Sequence, residues 1–226
     1  RITLSALGEE DFGIYNIVGG IVVLFSFLNS ALTTATQRFL NYEIGKENEK
    51  AVNQIFCMSM NIYIGLSIII IVLSETIGLW FLNTQMNIPE NRMQAAYWVY
   101  QFSILSFIIN LIRVPYNATI IAYEKMSFFA YLSMIEVMFK LISVYYLYIT
   151  SSDKLIIIAI LYTIIPFLIN IVYKKYCNTH FTTSQFHLFW NKILFKKLTS
   201  FSIWNFFGSL DNIGATQGIN IILNIF

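Results

Sequence analysis

Long apolar stretches without a single charge recur along this chain, separated by short polar segments. Phe12 to Gln37 is charge-free, and so are Ala51 to Ser74, Met93 to Ile112 and Leu155 to Tyr173. Ser127 to Ile149 forms a further stretch once Glu136 and Lys140 are accepted inside it, and another starts near Phe201, broken only by Asp211. A helix needs about 20 apolar residues to cross the hydrocarbon core of a bilayer. The pattern therefore predicts six spans, at roughly 12–40, 55–82, 95–123, 127–149, 155–173 and 201–226. Runs such as Ile68 to Ile71 carry strand propensity, but a barrel strand alternates strictly over about 10 residues. These runs do not alternate, so helices are expected.

Composition agrees with the pattern. Of the 226 residues, 57% are hydrophobic and 12% charged, with a mean hydropathy of +0.65. Soluble domains carry about 25% charged residues, so too few charges remain here to solvate a surface. A disordered chain needs the opposite balance. The expected class is an all-α polytopic membrane protein. The net charge of +2 is too small to imply nucleic-acid binding, and Cys57 and Cys177 lie too far apart in sequence to define a disulfide framework or a metal site. The chain starts at Arg1 and stops at Phe226 inside an apolar run, without a signal-peptide pattern, so it is expected to be a piece of a larger protein.

Loop charges give the expected orientation. Arg38, Lys46, Lys50, Lys125, Lys174, Lys175, Lys192, Lys196 and Lys197 fall on one side, against Arg1, Arg92 and Lys154 on the other. Nine against three places residues 41–54, 124–126 and 174–199 in the cytoplasm. Within Ser184 to Leu198, His187, Asn191, Lys192, Lys196 and Lys197 recur at helical spacing opposite Phe186, Phe189, Trp190, Ile193 and Leu194. This predicts a basic amphipathic helix in the membrane interface, linking two helical bundles.

Charges inside a span are costly and face a partner or a cavity. Glu75 sits close enough to a helix end to reach the interface. Glu136 and Lys140 are spaced i,i+4 on one face, and the short turn at Glu124–Lys125 makes their helix an antiparallel neighbour of the one carrying Arg113. Arg113 and Glu136 both lie ~15 Å from the basic end, counted at about 1.5 Å per residue. Either they fix helix packing, or they line a cationic cavity for an anionic substrate. Pro115 is expected to loosen the helix nearby. Two polar stripes stand out: Ser26, Asn29, Thr33, Thr36 and Gln37 on the first span, and Asn205, Ser209, Asn212, Thr216 and Asn220 on the last, with Asp211 and Gln217 beside it. They suit helix packing or a hydrated interior surface. No Walker loop, HExxH or GxSxG occurs, so neither an enzyme nor a bound cofactor is expected.

The stretch Leu7-Gly8-Glu9-Glu10-Asp11-Phe12-Gly13-Ile14-Tyr15, with Gln37-Arg38-Phe39-Leu40 further on, resembles the first loop and second helix of bacterial polysaccharide flippases. These belong to the multidrug/oligosaccharidyl-lipid/polysaccharide exporter superfamily and move lipid-linked oligosaccharides such as O-antigen units. Val114-Pro115-Tyr116 with Ala122-Tyr123-Glu124-Lys125-Met126 resembles that family's fourth-to-fifth helix junction, and Phe201-Ser202-Ile203-Trp204-Asn205 with Gln217-Gly218-Ile219-Asn220 the start of its seventh helix. The resemblance implies two six-helix lobes around a central cavity. Residues 1–173 would be helices two to six of the first lobe, 174–199 a cytoplasmic linker and 200–226 the first helix of the second lobe.

The resemblance also implies a substrate, an undecaprenyl-pyrophosphate oligosaccharide flipped across the inner membrane by alternating access. Arg113 and Lys140 are the candidates for its pyrophosphate, with Glu136, Asp211, Asn29, Thr33, Asn212 and Gln217 completing the candidate cavity. Membrane lipid and polysaccharide assembly proteins are the expected partners, and a coupling ion, H⁺ or Na⁺, stays open. A cation-exporting multidrug antiporter of the same fold is the alternative, kept in view by Asp211 and Glu136. A membrane glycosyltransferase or polymerase is disfavoured by external loops of about a dozen residues at most, where Arg-rich or catalytic motifs would be expected.

Overall fold

The structure, a computed structural model, describes residues 2–23, 26–84, 86, 88–150 and 152–205, and of residues 2, 17, 20–23 and 26–31 the backbone alone. Its described part is mostly helical and contains no strand. α1 (Ile2–Leu7) and α2 (Glu9–Val23) are followed by α3 (Ser26–Ile44), α4 (Glu49–Leu73) and α5 (Leu79–Thr84), the last two joined by a π turn at Ser74–Gly78. After a 3-10 turn at Glu90–Arg92 come α6 (Met93–Ala122), α7 (Met126–Tyr146) and α8 (Lys154–His180). A final helix, α9, is described over 192–205.

Four helical segments are long and apolar enough to cross a membrane: Glu49–Thr84, Glu90–Ala122, Met126–Tyr146 and Lys154–His180. They match four of the expected spans. The first expected span is divided between α2 and α3, and most of the last lies outside the described residues. α6 is the centre of the bundle, lying against α2, α3, α4, α7 and α8. Its face toward α8 builds two cores. Val99, Tyr100 and Ile104 meet Val18, Leu155 and Ala159 in one, while Tyr116 and Ile120 meet Phe56, Ile169 and Tyr173 in the other. On α7, by contrast, Tyr131, Met134, Val137, Met138 and Ile142 are each more than half exposed. A face this apolar is stable against lipid, not water.

Local chemistry explains the helix boundaries. Asn48 caps α4 by accepting from the Ala51 amide at 3.1 Å, and Asp153 caps α8 by accepting from Leu155 at 3.0 Å. The α6–α7 turn is a Schellman motif, in which Lys125 N–H donates to Ile120 C=O and Glu124 N–H to Ile121 C=O. That motif puts Glu124 in the left-handed region, at φ 59°. The π turn has a packing cause: the Tyr100 hydroxyl donates to the Ser74 carbonyl at 2.8 Å, and a Cβ at Gly78 would collide with that hydroxyl. Pro115 is buried within an uninterrupted α6.

The amphipathic helix expected from Ser184 starts later. Residues 185–191 form no helix, and α9 begins at 192, where the Asn191 side chain accepts from the amides of Ile193 and Leu194 at 2.9 and 3.1 Å. The preceding strap is drawn out along α4. Asn53 donates to the carbonyls of Thr183 and Gln185 at 2.8 and 3.0 Å, and Asn61 to that of Phe189 at 2.6 Å. Between them the His187 amide meets the Cys57 sulfur at 3.4 Å. The register is geometric: four helical residues rise about 6 Å and two extended residues about 6.6 Å. Asn53, Cys57 and Asn61 therefore keep step with Gln185, His187 and Phe189. These side-chain bonds satisfy carbonyls that a helix would have satisfied internally, which is why helical periodicity does not win here.

Candidate functional site

The intramembrane charges of α6 and α7 meet. Arg113 Nη1 lies 2.7 Å from Glu136 Oε2, and Lys140 Nζ lies 2.7 Å from Glu136 Oε1. Each cation thus has its own carboxylate oxygen. Facing the guanidinium on the α8 side is the Tyr173 ring, 5.6 Å from its carbon, where the ring's negative face adds to the attraction. Side-chain exposure grades the three groups: 13% for Glu136, 21% for Arg113 and 39% for Lys140. The carboxylate is enclosed by its partners, and Lys140 is the cation that opens outward.

It opens onto a cavity of about 420 Å³ between α2, α6, α7 and α8. Besides Lys140, the polar wall is made by Asn16, Ser103, Ser106, Asn110 and Thr163, and the apolar wall includes Phe102, Phe107 and Pro166. Proline supplies no amide hydrogen, so Pro166 leaves the carbonyl four residues earlier, that of Tyr162, without its helical partner. Ser106 of α6 donates its hydroxyl to that carbonyl at 3.1 Å. Asn110 donates in turn to the Ser106 carbonyl at 2.8 Å, and the Thr163 hydroxyl reaches the Phe102 carbonyl at 2.9 Å. The α6–α8 seam is therefore hydrogen-bonded along the cavity floor. With these donors engaged by backbone, the hydroxyls of Ser103, Tyr15 and Tyr162 and the Lys140 ammonium complete the polar wall, a set suited to a hydroxylated, anionic group.

The candidate residues read from the sequence divide into three groups. Arg113, Glu136 and Lys140 come together, and of these Lys140 lines the cavity. Thr33 is elsewhere: with Thr36 it faces the Tyr63 hydroxyl across the α3–α4 contact, a packing position. Asn29 is described by its backbone alone, and Asp211, Asn212 and Gln217 lie outside the described residues. Ser103, Ser106, Asn110 and Thr163 were missed by sequence reasoning. Their signal was present as polar positions three and four apart on one face of α6, opposite a helix containing proline. Among the described residues, no cluster of His, Cys, Asp and Glu is placed to hold a metal ion.

A second charged cluster ties the other end of the bundle. Arg92 pairs with Asp11 of α2 and, at 2.8 Å, with Asp153 at the start of α8. Burial pushes the Asp11 carboxyl above its ordinary value even with Arg92 against it. Lys154 donates to the Ala6 carbonyl at 3.3 Å, extending the clasp to α1.

These features define an all-helical, polytopic membrane protein with a charged cluster beside an interior cavity. No protein-family model, curated protein or solved structure matches the chain.

Proposed function

We propose that this chain is part of a transporter that flips lipid-linked oligosaccharides, carried on undecaprenyl pyrophosphate, across the bacterial inner membrane by alternating access. Its basic end faces the cytoplasm in this reading. The observation that carries the proposal is the sharing of one carboxylate by two cations inside the membrane, which leaves a net positive charge exposed through Lys140 on an oxygen-rich cavity wall. A cationic drug would need an open carboxylate, and among the described residues the cavity presents none, since both oxygens of Glu136 are engaged. The flippase reading is therefore favoured over a cation antiporter.

The decisive experiment expresses the complete gene in a host lacking its own polysaccharide flippase. Return of surface polysaccharide, with loss of accumulated lipid-linked units on the cytoplasmic side, supports the proposal. No return, together with new resistance to cationic dyes, favours the antiporter. Within that assay Lys140→Gln is the informative variant, because Arg113 still neutralises Glu136 and the fold is retained. Export is expected to fall at least about tenfold, the consequence of losing roughly 1.4 kcal/mol of substrate attraction. Undiminished export by Lys140→Gln would remove Lys140 from the substrate path. Removing Arg113 and Lys140 together is less informative, since an unpaired buried carboxylate costs about 3–5 kcal/mol and unfolding would mimic lost transport.

A further inference from the structure

Between Asp153 and Asp211 the chain carries six lysines and no Asp or Glu. Three of them, Lys192, Lys196 and Lys197, border a groove of about 690 Å³ whose other walls are Phe39, Ile193, Ser200, Phe201 and Trp204. The Asn191 cap starts α9 just ahead of Lys192, so Lys192, Lys196 and Ser200 fall on one line along the helix and Ile193, Lys197 and Phe201 on the next. α3 supplies the opposite wall. Phe39 meets Phe201 edge to face at 5.9 Å, and the Arg38 guanidinium stands over the same Phe201 ring at 4.4 Å. Trp204 is 75% exposed and Ile193 is 70% exposed.

We propose that this groove binds one acidic phospholipid of the leaflet at the basic end, with its phosphodiester on Lys192, Lys196 and Lys197 and the start of an acyl chain over Ile193, Phe201 and Trp204. The inference stands apart from any transport activity. Two observations select this occupant. Three lysines crowded on successive turns repel one another unless an anion sits between them, and no carboxylate lines the groove. The floor beside them is aromatic and aliphatic, which a soluble phosphate would leave uncovered and an acyl chain would cover. The location fits as well, because α3 and α4 meet at this end of the bundle, where head groups begin.

The test measures thermal unfolding of the full-length protein in neutral detergent, alone and with phosphatidylglycerol, phosphatidylcholine or inorganic phosphate. Phosphatidylglycerol is expected to raise the unfolding temperature, and the other two are not. The shift should vanish in K192Q/K196Q/K197Q and persist in K46Q/K50Q, which removes charge from the neighbouring α3–α4 loop and the first turn of α4. Trp204→Gln keeps every charge and removes apolar floor from an exposed position, so it should unfold at the wild-type temperature without lipid and lose more than half of the lipid shift. A full shift in the triple variant, or an equal shift with phosphatidylcholine, overturns the proposal. So does an equal shift with inorganic phosphate, which would reduce the site to a cluster of surface lysines.

Discussion

At one end of the bundle Arg92 holds Asp11 and Asp153 together, and at the other Asn53, Cys57 and Asn61 hold an extended strap by its backbone. Both fastenings join segments distant in sequence, but they respond differently to loss of a part. The charged clasp depends on a single guanidinium. Without it two carboxylates face each other, one of them already disfavoured by burial. The amide ladder is neutral and distributed, so losing one rung leaves the others in place and exposes no charge. Concentrated charge gives strength with one point of failure, and repeated neutral bonds give a weaker, graded hold.

The largest expected effect is therefore Arg92→Ala. Breaking a buried pair costs about 3–5 kcal/mol. Arg92 and Asp153 keep 29% and 32% side-chain exposure, so solvent screening lowers the expectation to about 2–3 kcal/mol. The loss should depend on pH with a definite sign. The Asp11 carboxyl lies above its ordinary value in the folded chain because of burial, and removing Arg92 raises it further. A raised carboxyl favours folding when protonated, so the variant regains stability below about pH 4 and loses it as pH rises through the native value. Unfolding midpoints in detergent across that range check this. A pH-independent loss would mean that the clasp acts by packing alone.

Next in size is the strap. Each hydrogen bond contributes about 0.5–1.5 kcal/mol, so Asn53→Ala, which removes two bonds to the strap, should cost more than Asn61→Ala, which removes one. A single loss leaves the strap in place, whereas the double loss also gives up the Cys57 contact between the two rungs, so the double variant should cost more than the sum of the singles. Cys57 reports the release directly. It is buried beneath the strap, and its labelling by a thiol reagent should quicken in the double variant while that of the equally buried Cys177 does not. Simple additivity with unchanged labelling would show that the strap is held instead from the end of α8, where Phe181 stacks on Tyr123 at 4.4 Å.

How much of this was legible in the sequence follows the range of each interaction. The four spans are visible because lipid imposes a length and a composition on every residue of a segment. The Arg113–Glu136–Lys140 chain was legible too, since i,i+4 spacing and equal distance from a short turn suffice to bring charges together. The strap was not. Ser184 to Leu198 has helical periodicity, and only the tertiary partners on α4 decide against it. The local clue was Asn191, a good helix cap lying where a continuous helix would have its middle. The cavity floor was hidden for a similar reason: Ser106 matters because Pro166, on another helix, leaves a carbonyl for it. Asp11 and Arg92 read as loop charges until the fold made them neighbours.

The smallest expected effect belongs to the turn that brings Arg113 and Glu136 to the same depth. Glu124 occupies the left-handed position of the Schellman motif at φ 59°, where a side chain is strained and glycine is not. Glu124→Gly should stabilise the chain by about 0.5 kcal/mol, the relief of that strain less the extra freedom glycine gains when unfolded. The motif itself uses backbone groups alone, Lys125 N–H to Ile120 C=O and Glu124 N–H to Ile121 C=O, so it survives the change. The basic end would then gain from losing a charge, whereas the opposite end fails when it loses one. Should Glu124→Gly instead lower the unfolding midpoint, the Glu124 carboxylate must itself be holding part of the lysine-rich end. The contrast between a neutral and a charged fastening would then have to be redrawn around it.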